Sequence, residues 1–155
     1  MKQVLEPEQQ RPLRHMGPEK PLIFLDTSVI IDYLRGGVAA RRLFSAEAHG
    51  HVRLAVNPIV LQELFLAADA TGPKFERIRD HLKLLPVDFA KAETLLARLR
   101  DLRNRSVHSN DLLILSSADE CDFLVTKDNA LKNLMKDNKP QIVTPEELVT
   151  RLRVE

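Results

Sequence analysis

The amino-acid sequence predicts an α/β fold with three layers, in which a central parallel sheet of four to five strands lies between helices. Two observations support this prediction. Short apolar runs alternate with amphipathic stretches from residue 21 onward, and several of these stretches begin with residues typical of a helix N-terminus. Strands that alternate with helices usually pair in parallel, because each helix carries the chain back across the sheet.

Five apolar runs are candidate strands. They are Leu22–Leu25, Arg53–Val56, Phe123–Val125, Gln141–Val143 and, more weakly, residues 84–87. Short apolar runs bounded by turn residues are typical of strands that are buried on both faces of a parallel sheet. The sequence therefore predicts one sheet, and 155 residues are enough for one domain.

Three of the predicted helices have clear start signals. Asn57 and Thr144 both precede a proline, and each carries a side chain that can cap a helix. Glu147 lies three residues after Thr144 and completes a capping box. Asp88 precedes the clearest amphipathic pattern, for which we expect a buried stripe. The stripe consists of Phe89, Ala92, Leu95, Leu96, Leu99 and Leu102.

Residues 1–20 differ from the rest of the chain. They contain Pro7, Pro12 and Pro18 and show no apolar periodicity. We expect them to form a poorly ordered leader, followed by one domain over residues 21–155. The leader has no apolar core of the kind found in signal peptides, so secretion is not indicated.

Composition restricts the classes of function. Lys and Arg total 23 against 22 Asp and Glu, which gives a net charge of +1. A protein that bound nucleic acid by bulk charge alone would be far more basic. No run approaches the roughly 18 apolar residues of a membrane span. We therefore expect no membrane segment. The single cysteine, Cys121, cannot form an internal disulfide, so we expect a cytoplasmic protein.

Four acidic residues occupy positions that are unusual for solvated charges. Asp26 ends the first predicted strand, and Asp128 follows the fourth closely. Ligands of open α/β sheets bind outside the carboxyl ends of the strands. Asp111 begins a predicted apolar helix. Glu63 shares a helical face with Ile59 and Leu66, and an unpaired carboxylate in such a stripe would cost several kcal/mol.

Each position also has a simpler explanation. Asp26 and Asp128 could cap the helices that follow them, and Asp111 could interact with a helix dipole. Carboxylates that met at one sheet edge would repel one another unless cations lay among them. Oxygen-rich sites suit Mg²⁺ or Mn²⁺, whereas one cysteine and scattered histidines disfavour Zn²⁺. We therefore expect one or two Mg²⁺ or Mn²⁺ ions at this edge.

Four segments resemble, in order and spacing, the motifs of PIN-domain nucleases, and in particular of VapC-type toxin ribonucleases. They are FLDTSVIIDYL, NPIVLQELF, NDLLILSSA and FLVTKDNAL. The resemblance covers roughly residues 21–150 and implies metal-dependent hydrolysis of RNA phosphodiester bonds. The residues that match the family's catalytic and metal-binding acids are Asp26, Glu63, Asp111 and Asp128. Thr27 or Ser28, and Thr126, match hydroxyl positions that support these acids.

The resemblance also implies partners and leaves some residues outside the site. Toxins of this family commonly form homodimers and are blocked by a cognate antitoxin.

Asp32 falls outside the acidic quartet, and we interpret it as a surface or capping residue. Basic side chains near the acidic helix could contact the RNA backbone, although a solvated helix face explains them equally well. These candidates are Arg98, Arg100, Arg103, Arg105 and Lys127.

Other functions fit the sequence less well. A haloacid-dehalogenase-type phosphatase would need a second aspartate where Ser28 stands, and a receiver domain would need a phosphoacceptor after the third strand. A PIN-like scaffold or dimerisation module would have no reason to keep four mutually repelling carboxylates. A PIN-domain nuclease that processes RNA without an antitoxin is the stronger alternative, and the sequence does not separate it from a toxin.

Overall fold

The computed structural model describes residues 19–67, 72–101, 109–134 and 140–153. Within this part of the chain, five parallel strands form one sheet in the order β3-β2-β1-β4-β5. The strands are β1 (Leu22–Leu25), β2 (Arg53–Val56), β3 (Leu82–Leu84), β4 (Phe123–Val125) and β5 (Gln141–Val143). Four have the predicted bounds, and the predicted α/β fold is confirmed.

Helices flank the sheet and complete the three layers. They are α1 (Thr27–Leu34), α2 (Val38–Leu43), α3 (Ala46–His51), α4 (Pro58–Ala67), α5 (Pro73–Arg79), α6 (Phe89–Asp101), α7 (Ser109–Ala118), α8 (Asn129–Leu134) and α9 (Pro145–Leu152). The chain moves outward from β1 to β2 and β3, and then returns through α6 and α7 to β4 on the other side of β1. The strand order therefore reverses between β1 and β4, which is where open α/β sheets bind ligands.

The core surrounds the central strand. Ile23, Phe24 and Leu25 of β1 are completely buried. Such uninterrupted apolar strands arise because helices cover both faces of a parallel sheet. The helical residues of this core include Val29, Ile30, Val60, Leu64, Ile114, Leu115 and Leu148. Strand β1 is thus fixed from both faces and both edges, so the residue at its carboxyl end has a well-defined position.

The predicted helix starts are confirmed. Asn57 Oδ1 accepts a hydrogen bond from the N–H of Val60 at 3.0 Å. Asp88 Oδ1 accepts one from the N–H of Lys91 at 3.0 Å. Thr144 and Glu147 form both hydrogen bonds of the capping box at the start of α9. Local sequence signals were sufficient here, because a cap satisfies backbone donors within one helical turn.

The fifth strand and the α6 stripe differ from the prediction. Strand β3 starts two residues and ends three residues earlier than expected. It does not extend through Pro86, which has no N–H to donate to a ladder. The last bond on this side joins the N–H of Leu85 to Val56 O at 2.8 Å. In α6, Ala92 is buried, but Phe89 is 69% exposed and Leu96 is 41% exposed. The stripe is therefore less buried over residues 89–96 than its pattern indicated, and the Leu99 side chain and Leu102 fall outside the described residues.

Some predictions fall outside these ranges. Residues 1–18 lie outside the described part of the chain, so the proposed leader over residues 1–20 stays a prediction. None of the helices in the described ranges is long and apolar enough to cross a membrane.

Candidate active site

The strand register aligns four polar residues along the carboxyl edge of the sheet. Phe24 pairs with Ala55, and Val125 pairs with both Leu25 and Val143. Two residues beyond the first pair and one residue beyond the others, the order across the edge is Asn57, Asp26, Thr126 and Thr144. Asn57, Asp26 and Thr144 each accept a hydrogen bond at the start of the helix that follows. Asp26 lies at the reversal of strand order, the position where a ligand is expected.

Asp26 is held by three donors. Its side chain caps α1, because Oδ1 accepts a hydrogen bond from the N–H of Thr27 at 2.8 Å. Its Oδ2 accepts from Ser28 Oγ at 3.1 Å and from Thr126 Oγ1 at 2.7 Å. The residue is only 8% exposed. The capping interpretation of Asp26 is therefore correct, but it describes only one of three hydrogen bonds.

The two hydroxyls that contact Asp26 are oriented by the loop after β4. Ser28 Oγ accepts a hydrogen bond from the N–H of Lys127 at 3.1 Å, and Thr126 Oγ1 accepts one from the N–H of Asp128 at 3.0 Å. A hydroxyl has one proton to donate. Since each oxygen already accepts a backbone N–H, each proton is directed at Asp26 Oδ2. The loop thereby fixes the carboxylate in one orientation.

Burial and neighbouring charge act on Asp26. Burial is the largest effect and raises the pKa of this carboxyl above its ordinary value. Hydrogen bonds from Thr126, Ser28 and Thr27 lower the pKa, and the charge of Asp111 raises it. The net result is a raised pKa. The charge of Asp111 therefore acts on Asp26 although the two acids lie far apart in the sequence.

Glu63 is joined to the same region by hydrogen bonds. Its Oε2 accepts from Thr27 Oγ1 at 2.7 Å, and its Oε1 accepts from Asn110 Nδ2 at 3.1 Å. The predicted apolar stripe around Glu63 is wrong, because Leu66 is 81% exposed and Glu63 itself is only half-buried. Two donors offset its partial desolvation. Sequence reasoning missed Asn110, although its position next to Asp111 was a usable signal.

Asp128 behaves as a helix cap. Its Oδ1 accepts a hydrogen bond from the N–H of Ala130 at 2.9 Å at the start of α8. This contact agrees with the simpler interpretation of Asp128. An ionised carboxylate can accept about four hydrogen bonds, so this single contact leaves Asp128 with capacity for another interaction.

The predicted RNA contacts are only partly described. Lys127 Nζ forms an ion pair with Asp32 Oδ1 at 2.9 Å, and the Lys127 side chain is 43% exposed. Asp32 lies outside the acidic quartet and pairs with this lysine. The side chains of Arg98 and Arg100, together with all of Arg103 and Arg105, fall outside the described residues. Their contact with RNA stays a prediction.

The donor chemistry of the site suits a hard divalent cation. Asp26 Oδ1 accepts one hydrogen bond and can offer its second lone pair, and Asp111 adds a second carboxylate nearby. Over the ranges that the structure describes, however, no three His, Cys, Asp or Glu side chains are grouped closely enough to hold a metal ion. Asp26, Glu63 and Asp128 each accept hydrogen bonds from neighbouring donors, and the charge of Asp111 acts on Asp26.

The family model of the PIN domain matches residues 23–136, which is most of the chain. The chain belongs to the PIN domain family. The match includes all four predicted acidic positions and begins within β1. A comparison with the sequences of curated proteins found no match.

Solved structures share this PIN domain fold at low sequence identity. A chain of the VapBC2 complex from Rickettsia felis, bound to a promoter DNA fragment, is 18% identical with a TM-score of 0.57 and covers 79% of this chain and 96% of its own. A chain of a toxin–antitoxin complex from Klebsiella pneumoniae is 21% identical with a TM-score of 0.56. The match covers 79% of this chain and 97% of that one. PAE2754 from Pyrobaculum aerophilum is 18% identical with a TM-score of 0.56, and the match covers 93% of this chain and 97% of that one.

Proposed function

We propose that this PIN domain is a divalent-metal-dependent endoribonuclease that acts in the cytoplasm as the toxin of a type II toxin–antitoxin pair. The observation that carries the proposal is the Asp26 carboxylate. It is buried at the reversal of strand order, fixed by Thr27, Ser28 and Thr126, and close to the charge of Asp111. Two nearby carboxylates that are partly shielded from water favour a cation between them.

The residues have distinct roles in this proposal. Asp26 and Asp111 hold Mg²⁺ or Mn²⁺, and Asp128 offers the oxygen that its helix cap leaves free. When bound, such an ion polarises a phosphoryl oxygen and lowers the pKa of water. Glu63, held between Thr27 and Asn110, orients the attacking water or completes the set of ligands. None of these acids needs to act as a covalent nucleophile.

The partners follow from similarity to the solved structures. Two of them are toxin–antitoxin complexes, and each is matched over nearly the full length of its chain. We extend this arrangement to the present chain and propose a cognate antitoxin. A homodimeric toxin is proposed from the resemblance to VapC-type toxins alone. RNA is the substrate, and Lys127 with the arginines of residues 98–105 is proposed to contact its backbone.

Cleavage by the purified protein tests the enzymatic part of the proposal. We expect cleavage of RNA with Mg²⁺ or Mn²⁺ and its loss with EDTA. Asp111→Asn should abolish cleavage while the protein remains folded by circular dichroism. Asp119→Asn is the matched control, since Asp119 lies just beyond the other end of α7 and pairs with Lys91 at 3.3 Å. Full activity of Asp111→Asn, or activity in EDTA, would refute a metal-dependent nuclease.

Expression in cells tests the toxin part separately. A toxin should arrest growth, and co-expression of the product of an adjacent small open reading frame should relieve the arrest. Cleavage in vitro without arrest, and without such a neighbour, would instead indicate an RNA-processing nuclease. Profiling the 5′ ends of RNA from cells that express wild type or Asp26→Asn would identify the RNA that is cut.

A further inference from the structure

Asn57 is a buried polar residue to which the proposed chemistry gives no role. It follows β2 and lies beside Asp26 in the row at the carboxyl edge of the sheet. Its exposed fraction is 0%. A buried amide is stable only when its hydrogen-bonding groups are satisfied, so its contacts indicate what it does.

The amide of Asn57 joins two helices. Its Oδ1 accepts from the N–H of Val60 at 3.0 Å in α4. Its Nδ2 donates to Leu113 O at 3.2 Å and to Ser117 Oγ at 3.0 Å in α7. One acceptor and both amide protons are therefore used, and neither a serine nor an aspartate could make all three contacts.

These two helices carry the acids opposite Asp26. Glu63 lies in α4, six positions after Asn57, and Asp111 lies in α7, two positions before the Leu113 carbonyl. Ser117 extends the connection, since its hydroxyl donates to Pro86 O at 2.7 Å in the loop before α6. The amide thus links the strand edge beside Asp26 to both helices.

We propose that Asn57 is a positioning residue, which sets the placement of Glu63 and Asp111 relative to Asp26 by bridging α4 and α7. This inference rests on the proposed function, because it assigns Asn57 a role in assembling the same acidic site. The local purpose of capping α4 would be served equally by serine or threonine. Only asparagine combines a cap with two donors to the neighbouring helix.

Mn²⁺ binding to the full-length protein, measured by isothermal titration calorimetry, tests the role of Asn57. Asn57→Ser keeps an oxygen that can cap α4 but lacks the two donors to α7. We expect its Mn²⁺ affinity to fall roughly tenfold, the lower end of the range of about 10- to 100-fold found when supporting partners of metal ligands are removed. Ser117→Ala removes one of the two bridging contacts without altering the cap, so we expect a smaller decrease.

Thr144→Ala is the matched control. Thr144 also follows a strand in the same row and caps a helix, but its contacts lie in α9. The Thr144→Ala substitution should lower the thermal stability of the protein and leave its Mn²⁺ affinity unchanged. Wild-type affinity in both Asn57→Ser and Ser117→Ala, or an equal loss in Thr144→Ala, would overturn the role of Asn57. If the wild-type protein neither bound Mn²⁺ nor cleaved RNA, the proposed function itself would fail, and the role of Asn57 with it.

Discussion

Strands β1 and β5 end in similar local structures that have different surroundings. Asp26 follows β1 and caps α1, whereas Thr144 follows β5 and caps α9. Both lie in the same row at the carboxyl edge of the sheet. Asp26 lies on the central strand and receives one hydroxyl proton from Ser28 in its own helix and one from Thr126, which follows the neighbouring strand β4. Thr144 lies on the edge strand and forms a capping box within its own helical turn.

The nearby carboxylates differ in the same way. Burial is the largest influence on Asp26 and leaves its pKa raised. Partial burial also raises the pKa of Glu147, but hydrogen bonds from Lys132 and Thr144 and the charge of Lys132 outweigh it, so the net direction is downward. One acid is partly desolvated next to another acid, and the other is neutralised by a lysine. A cap thus becomes a candidate catalytic residue through its neighbours, and this difference leads to four predictions.

The largest expected effect is on catalysis at the central strand. Asp26→Asn should lower the rate of RNA cleavage by at least about 100-fold, because even supporting partners of metal ligands contribute 10- to 100-fold. Thr144→Ala should leave the rate unchanged. Initial rates of both variants under saturating Mn²⁺ test this contrast. Equal losses in the two variants would mean that the two strand ends do not differ in function.

Loss of the Thr126 hydroxyl should weaken Mn²⁺ binding more than loss of a threonine hydroxyl elsewhere in the protein. Thr126→Val removes the donor to Asp26 and the acceptor of the Asp128 N–H, so we expect a roughly tenfold loss of Mn²⁺ affinity. Thr150→Val is the control, because Thr150 is exposed and its hydroxyl donates only to Glu146 O in its own helix. Unchanged Mn²⁺ affinity in Thr126→Val would count against the fixed orientation of Asp26.

Removing the cap at the edge strand should affect stability alone. Thr144→Ala should lower the free energy of unfolding by about 1 kcal/mol, which is typical for loss of an N-cap. Urea unfolding followed by circular dichroism measures this change. A loss of Mn²⁺ binding at temperatures where the variant is fully folded would contradict the separation of the two strand ends.

The smallest effect concerns the pH dependence of stability. The pKa of Glu147 is lower in the folded protein than its ordinary value of 4.5, so the unfolded state binds more protons between these two values. The stabilisation by Glu147 is therefore present above pH 4.5 and is lost as pH falls through the folded pKa. Glu147→Gln can still complete the capping box but does not titrate.

Thermal unfolding of the wild-type protein and Glu147→Gln across the acidic pH range tests the direction of this pH dependence. The wild-type protein should lose stability more steeply than Glu147→Gln as the pH falls below 4.5. Parallel curves would show that the ion pair with Lys132 does not contribute, which is common for exposed pairs.

Features that depend on residues adjacent in the sequence were the most predictable. The bounds of β1, β2, β4 and β5 and the caps at Asn57, Asp88 and Thr144 follow from short apolar runs and single side chains. Exposure was less predictable. Leu66 and Phe89 fit apolar stripes, yet both are largely exposed, because helical periodicity defines a face but not what covers it. The weak strand was misplaced because its start depends on pairing with β2 rather than on its own pattern.

The residue pattern was enough to predict the alternation of strands and helices, the polar residue at the end of each central strand, and the acidic positions of the family. Which distant polar residues contact one another depends on the folded chain. The fold gave Asp26 the hydroxyl of Thr126 and gave Glu63 the hydroxyl of Thr27 and the amide of Asn110. The contacts of Ser28 with Asp26 and of Asp128 with Ala130 are local. The physical reason is that local sequence specifies a cap through one helical turn, whereas burial and charge depend on segments brought together across about 100 residues by the sheet.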